Sequence, residues 1–459
     1  MSATAVAAAA LGFLLLAAPR AQAAPDQVPA TAELAPMPAD DEAAAAAVPA
    51  PPEAIQNAEQ NAGYSPDASA LLPALRISGY LDVGWARATG NGSSFKAGDT
   101  VLPADYGVDA FAPAVNARGD VASISTGLFT NGFLPRSIGL GGHAGAFIST
   151  VDLDVQYAPT NMPLLIFARL QVLPRFSGSG DATRVLAQQA FARILPFSTQ
   201  ELAIALGKSD SVFGIEYLES EANLRTGITP SLIARYTTGQ GLGAKVFYRV
   251  QLVPLWSALS LHVSGTANGT LQETLSPDNV SNTGRPIWSG RLGYELKLRR
   301  LELKLGGSGS WGPRNDQHNP DVLQKLFGGD LRLIAGPLEL RGELVHMEQD
   351  EGGGDKVNGN GVQTVVSGFA VTGGYGQLGL GFDVDTGPLK RMTFYGRYEQ
   401  RHAQFKGFRA ITVDRVTAGA RLDLWEQVTL KAEGLLNREL AGAPDVPNDV
   451  LTTSLVLVW

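Results

Sequence analysis

The side chains best suited to moving a proton or holding a metal at neutral pH are the five histidines, His143, His262, His318, His346 and His402. Their wide scatter works against both uses. No pair stands at the His-Glu-x-x-His spacing that puts two ligands on one helical face, and no Gly-x-Ser-x-Gly elbow offers a nucleophile. His402, beside Arg401, fits a lumen or rim position better than a general base. Gly374-x-Gly376-x-x-Gly379 matches a dinucleotide fingerprint letter for letter, but it lies in a glycine-rich, strand-like run with no helical pattern after it. The acidic, glycine-rich stretch Asp350 to Gly361 lacks the ligand spacing of an EF-hand. These residues assign no catalytic group, no metal and no cofactor. A formal net charge of -8 without a basic block argues against nucleic acid as a partner.

What the charged residues do show is alternation. Arg291, Glu295 and Lys297 share one parity, against Leu292, Tyr294 and Leu296 on the other. The same arrangement recurs in Leu301, Leu303 and Leu305 against Glu302 and Lys304, and in Val428, Leu430 and Ala432 against Lys431 and Glu433. It recurs again in Met392, Phe394 and Tyr398 against Arg391, Arg397, Glu399 and Arg401. Period-2 alternation marks strands with one apolar and one polar face. The pattern begins at Leu75, where Leu75, Ile77, Leu81, Val83 and Trp85 alternate with Arg76, Ser78, Tyr80, Asp82 and Gly84. Past the N-terminus no run approaches the roughly 20 apolar residues of a spanning helix. A barrel strand needs only about 10 alternating residues to cross, which leaves mean hydropathy near zero; here it is +0.02.

The connections alternate as well. Short links fall at Ala158 to Pro163, Pro196 to Gln200, Val253 to Ser257, Lys297 to Arg300, Ala335 to Pro337, Thr386 to Leu389 and Trp425 to Gln427. Longer polar links fall at Gly265 to Pro286, Gly312 to Gln324, Gln349 to Gly361 and Asn437 to Asp449. If Gly207 to Gly241 is one loop, the segments from Leu75 to Trp459 number about sixteen, an even count that returns both ends to the same side. The expected fold is therefore all-β, a transmembrane antiparallel barrel spanning 73–459. Residues 1–23 read as a signal peptide, with an apolar stretch from Ala5 to Ala18 and the small-x-small triplet Ala21-Gln22-Ala23, although Met1 to Thr4 carry no Lys or Arg. Residues 24–72, rich in Ala and Pro, read as a flexible periplasmic extension. Without cysteine, an exported chain must draw its stability from backbone pairing and packing.

The C-terminus sets Leu451, Thr453, Leu455, Leu457 and Trp459 on one face. A terminal aromatic preceded by alternate apolar residues resembles the assembly signal of outer-membrane barrels, with Leu455, Leu457 and Trp459 at its core. Gly207-Lys208-Ser209-Asp210-Ser211 followed by Gly214-Ile215-Glu216 is similar to a segment of phosphate-selective-type and related β-barrel porins. Asn116 to Asp120 and Arg397 to His402 look like stretches of uncharacterised porin-like proteins. The resemblance implies a Gram-negative outer-membrane diffusion channel for small polar or ionic solutes. The partners it implies are lipid, lipopolysaccharide and the barrel assembly machinery, and a homotrimer is a candidate assembly.

In sixteen-stranded porins the third external loop folds into the lumen. Here that loop is Gly207 to Gly241, with Glu216, Glu219, Glu221, Arg225 and Arg235 either facing the wall across a water-filled constriction or solvating an external loop. The inward parity includes Arg169, Arg249, Arg291, Arg397, Arg415 and Arg421, a basic wall expected to give at most a weak anion preference. The alternative is a non-conducting barrel, an anchor or adhesin, whose long segment from Ala86 to Phe147 fills the lumen or binds a partner.

Overall fold

The computed structural model describes residues 75–89, 121–123, 128–130, 144–159, 162–173, 184–196, 202–210, 212–219, 221–253, 256–267, 284–313, 321–352, 368–405, 410–442 and 449–459. The strands in chain order are β1 (Leu75–Ala88), β2 (Val121–Ser123), β3 (Leu128–Thr130), β4 (Ala144–Tyr157), β5 (Leu164–Leu173) and β6 (Arg184–Ile194). They continue as β7 (Leu202–Asp210), β8 (Gln240–Val253), β9 (Ser257–Thr266), β10 (Ile287–Leu298), β11 (Leu301–Pro313) and β12 (Leu323–Ala335). The last six are β13 (Leu338–Gln349), β14 (Phe369–Thr386), β15 (Leu389–Phe405), β16 (Ile411–Leu424), β17 (Val428–Ala441) and β18 (Val450–Val458). β1 and β4 to β18 form one closed antiparallel barrel of sixteen strands in sequence order, while β2 and β3 pair as a separate hairpin.

Closure comes from β1 against β18, in register from Tyr80 opposite Val458 to Ala88 opposite Val450. Two reciprocal bonds of 3.1 Å between Gly79 and Trp459 fasten the C-terminal residue to the first strand. All seven short links expected from the sequence lie between paired strands. Ala335 and Leu338 face each other across Gly336-Pro337, and Gly336 takes φ 59°, a left-handed angle that tight hairpins favour and glycine supplies at no steric cost. The longer links are shorter than expected in two places. β7 and β8 extend inward to leave 211–239 as the third loop, and β17 continues to Ala441, beyond Asn437. Against the link expected from Gln349 to Gly361, β14 begins only at Phe369. His143, His318, residues 1–74 and Asn116 to Asp120 lie outside the described residues, as do most of 86–147 and most of the links after β9, β11 and β13.

Register turns alternation into an inside and an outside. Leu292 stands opposite Leu261 and Gly307, whereas its neighbour Arg291 stands opposite His262 and Ser308. Leu292 is 57% and Leu344 68% exposed, while the adjacent Arg291 and Glu343 are 9% and 1% exposed. An apolar belt of this extent has no place on a soluble protein; it suits hydrocarbon. The six tryptophans mark its edges. Trp256, Trp425 and Trp459 sit at the short-turn end, and Trp85, Trp288 and Trp311 lie outward toward the long-loop end, Trp288 directly opposite Trp311. Aromatic girdles at both interfaces are what a membrane-spanning barrel requires. Against His402 as a lumen residue, its ring lies on the outer face near the rim, 2.8 Å from the Thr412 hydroxyl.

The outer face can be tested at the last strand. Leu455 is outward and exposed while Ser454 bonds Asp82 inside at 2.5 Å. Leu455→Arg should put a charge into lipid at about 2–4 kcal/mol near the midplane and lower the folded, heat-modifiable fraction. Gln251→Arg, on the lumen parity of β8 beyond Arg249, should be tolerated. Equal folded fractions for the two arginines at matched expression would contradict this orientation.

Candidate functional site

The described residues between β7 and β8, 212–219 and 221–239, pass through the barrel interior instead of projecting from its rim. They contain a 3-10 turn, Glu216–Glu219, and a short helix, Ala234–Thr237, closed by the Thr238 N–H bonding the Ala234 carbonyl at 2.9 Å. Neither element is long enough to be stable alone. What holds the segment is the wall.

Wall carboxylates grip the loop backbone. Glu343 on β13 accepts the N–H groups of Ile215 and Glu216, each at 3.2 Å. Glu433 on β17 accepts those of Ile228 (3.0 Å) and Thr229 (2.7 Å), and Glu399 on β15 accepts that of Leu232 at 2.6 Å. Wall cations hold the loop carbonyls. Arg397 donates to Thr229 O at 2.8 Å, Arg415 to Pro230 O, and Arg421 to Leu224 O and Arg225 O at 3.3 Å, while Lys431 donates to Ala222 O and Gly227 O. Gly214 fits this grip for a steric reason. Its φ is 71°, and a Cβ there would collide with the Glu343 carboxylate.

The loop's acids are buried among partners. Glu216 accepts the Ser231 N–H at 2.7 Å and the Ser231 hydroxyl, bracing the loop on itself. Glu219 pairs with Arg341. Glu221 crosses to the other side of the barrel, accepting the Tyr80 hydroxyl at 2.7 Å and the Gln188 amide at 3.0 Å, with the Arg169 guanidinium 2.8 Å away. Arg225 contributes its carbonyl, as described. Arg235 falls in the short helix, and its side chain lies outside the described residues.

The six arginines read from parity all stand on the lumen face, and each has a carboxylate. Arg169 bonds Asp154 at 2.6 and 2.7 Å, Arg249 bonds Glu295 at 2.7 Å, and Arg291 bonds Asp330 at 2.6 and 3.1 Å. Arg397 and Arg415 share Glu399, and Arg421 bonds Asp423 at 2.8 Å. Sequence reasoning passed over Tyr80, Arg341, Glu343 and the clasping roles of Glu399, Lys431 and Glu433. Their parity was legible, but their partners lie more than a hundred residues away. Among the described residues no group of three His, Cys, Asp or Glu could hold a metal ion.

Burial alone would raise the Glu221 carboxyl, but the Arg169 guanidinium and the bonds from Asp152, Tyr80 and Gln188 outweigh it and hold it well below the ordinary carboxylate range. Burial opposes and Arg341 with Arg332 outweighs it again at Glu219, which also lies below the ordinary carboxylate range. A depressed folded pKa contributes stability that is fully present above the unfolded value of about 4.3 and is lost only as pH falls through the folded one. Protection of the Ala222 amide, which bonds the Tyr80 hydroxyl that Glu221 holds, should thus persist from neutral pH down to about pH 5 after correction for intrinsic exchange, and fall only below about pH 4. Hydrogen exchange by mass spectrometry reads this, and an Ala222 amide already unprotected at about pH 5 would contradict it.

No family model matches the chain, and no curated protein matches it. Solved structures do. The outer-membrane channel DcaP of Acinetobacter baumannii superposes with a TM-score of 0.46 at 11% identity, covering 84% of this chain and 97% of that one. The anion-selective porin from Comamonas acidovorans gives 0.47 at 11% identity, covering 84% and 99%. OprB of Pseudomonas putida gives 0.49 at 10% identity, covering 84% and 94%. Nothing about solute or assembly transfers at such identities. The chain's own strand order, its apolar exterior, its charged interior and its inward third loop are the features of porin architecture.

Proposed function

We propose that this chain is an outer-membrane channel of porin type through which small polar or ionic solutes cross by diffusion. The observation that carries the reading is a closed barrel whose polarity is inside out, with a third loop placed in the lumen where it can set the bore. In this reading the short turns and both barrel ends face the periplasm, the long links face outward, and residues 1–23 direct export. Lipid and lipopolysaccharide cover the apolar belt, the Leu455, Leu457 and Trp459 face is read by the assembly machinery, and a homotrimer is the candidate assembly. Because Arg169, Arg249, Arg291, Arg397, Arg415 and Arg421 each stand beside a carboxylate, the basic wall is compensated in large part, and the expected preference is weakly anionic at most.

Recording in planar bilayers tests the reading. Discrete ohmic steps are expected, with a reversal potential in a salt gradient near zero or slightly toward anions. Strong cation selectivity would contradict the charge assignment. A barrel that never conducts, in any loop variant, is instead an anchor or adhesin. Residues 24–72 act only as an extension in this proposal, so deleting Asp26 to Ala70 behind an intact signal should leave an assembled, heat-modifiable barrel. Loss of membrane insertion on that deletion would assign the segment a part in assembly.

A further inference from the structure

We propose that loop 211–239 is a plug that closes the lumen at rest, and that conduction requires it to leave the wall; the inference rests on the channel reading above. A loop that merely narrows a pore lies against one side and leaves water against the other. This one is held nearly all the way round. Its bonds run from Gln188 on β6 and Arg169 on β5, through Tyr80 on β1, to Lys431, Arg415, Glu399 and Glu343 on β17, β16, β15 and β13, and on to Ser308 on β11, whose hydroxyl accepts the Gly214 N–H at 3.0 Å. Ala222 packs on Tyr80 and on Val456 of β18, and the Lys245 ammonium of β8 lies 5.7 Å from the centre of the Tyr217 ring.

Burial gives the second, independent line. A passage wide enough for a hydrated ion wets the wall beside it. Yet Asp82, Arg169, Lys245, Arg291, Glu343 and Arg415, charged groups spaced round the barrel, are none more than 9% exposed. Farther toward the long-loop end the inward faces of β13 to β16 are apolar. Val345, Met347, Val371, Ala403, Ile411 and Val413 are each at most 2% exposed. Inward apolar residues have no use beside an aqueous column; here the loop's Phe213, Leu232 and Ile233, equally buried, supply a dry filling for the same interior. Satisfaction at the contact is incomplete. Glu343 Oε1 and Thr229 Oγ1 are buried without a protein partner, the mark of a docked surface that gives up less on release than a finished core would.

The chain has no cysteine, so an introduced pair is the only disulfide. Ala222→Cys with Val456→Cys, and separately Ile233→Cys with Gly373→Cys, would tie the loop to β18 or β14. Each is reconstituted in planar bilayers, oxidised and then reduced, beside the unaltered chain and a chain in which Glu216 to Tyr236 is replaced by a short Gly-Ser link. The unaltered chain should show long closed periods. The loop-shortened chain should conduct continuously, and each oxidised pair should lose at least about tenfold in open probability and regain it on reduction. Oxidised pairs that conduct like the unaltered chain would make the loop a static constriction and overturn the plug. Failure of both pairs to cross-link in assembled barrels would also overturn it, since the loop would not be on the wall. If the shortened chain is silent too, the channel reading itself fails, a result distinct from the other two.

Discussion

Closure of the sheet by β18 on β1 is the constraint from which the rest of the molecule follows. In hydrocarbon an unpaired backbone N–H or C=O costs several kcal/mol, so a sheet can cross only if it has no edge. The register from Tyr80 with Val458 to Ala88 with Val450 removes that edge. Once it is gone, each side chain is assigned a solvent by parity alone. Leucine beside arginine along one strand is then a statement about lipid and lumen.

The same constraint creates the interior problem that the loop solves. Sixteen strands enclose more volume than their inward side chains can fill, and several of those side chains are charged. Burying one member of an ion pair without the other leaves an uncompensated charge, at a cost of about 3–5 kcal/mol. The wall therefore pairs most of its charges locally, as in Arg169 with Asp154 and Arg291 with Asp330. Its remaining valence goes to the loop. Glu343, Glu399 and Glu433 take loop N–H groups while Arg397, Arg415 and Lys431 take loop carbonyls. A segment with almost no regular structure can lie inside a barrel because the wall supplies the backbone partners that a helix or sheet would otherwise provide.

This division explains what was legible in the sequence. Strand positions, short turns and inward arginines follow from period-2 alternation, which is local, and the seven short links and six arginines stand where alternation places them. Loop 211–239 carries no such period. Its glutamates read equally well as solvated or as lumen-facing, because the difference lies in contacts such as Glu221 with Tyr80, 141 residues apart. The tryptophan girdles were half legible. Trp459 announces itself by its terminal position, but Trp256 and Trp425 acquire meaning only when the turns bring them level with it.

Pairing of many lumen charges has a consequence for selectivity. Fields inside a pore come from charges that lack a nearby counter-charge. Where Arg249 meets Glu295 at 2.7 Å and Arg421 meets Asp423 at 2.8 Å, each pair presents a dipole to a passing ion, not a net charge. Glu219 is matched by Arg341, whereas Arg169 is shared between Asp154 and Glu221, and Glu399 is shared between Arg397 and Arg415. Such a wall discriminates by size and hydrogen bonding before it discriminates by sign. What crosses is then decided less by the composition of the wall than by whether the loop that caps its charges is in place, since moving the loop uncovers Arg397, Arg415 and Lys431 together with Glu343 and Glu433 on the same face.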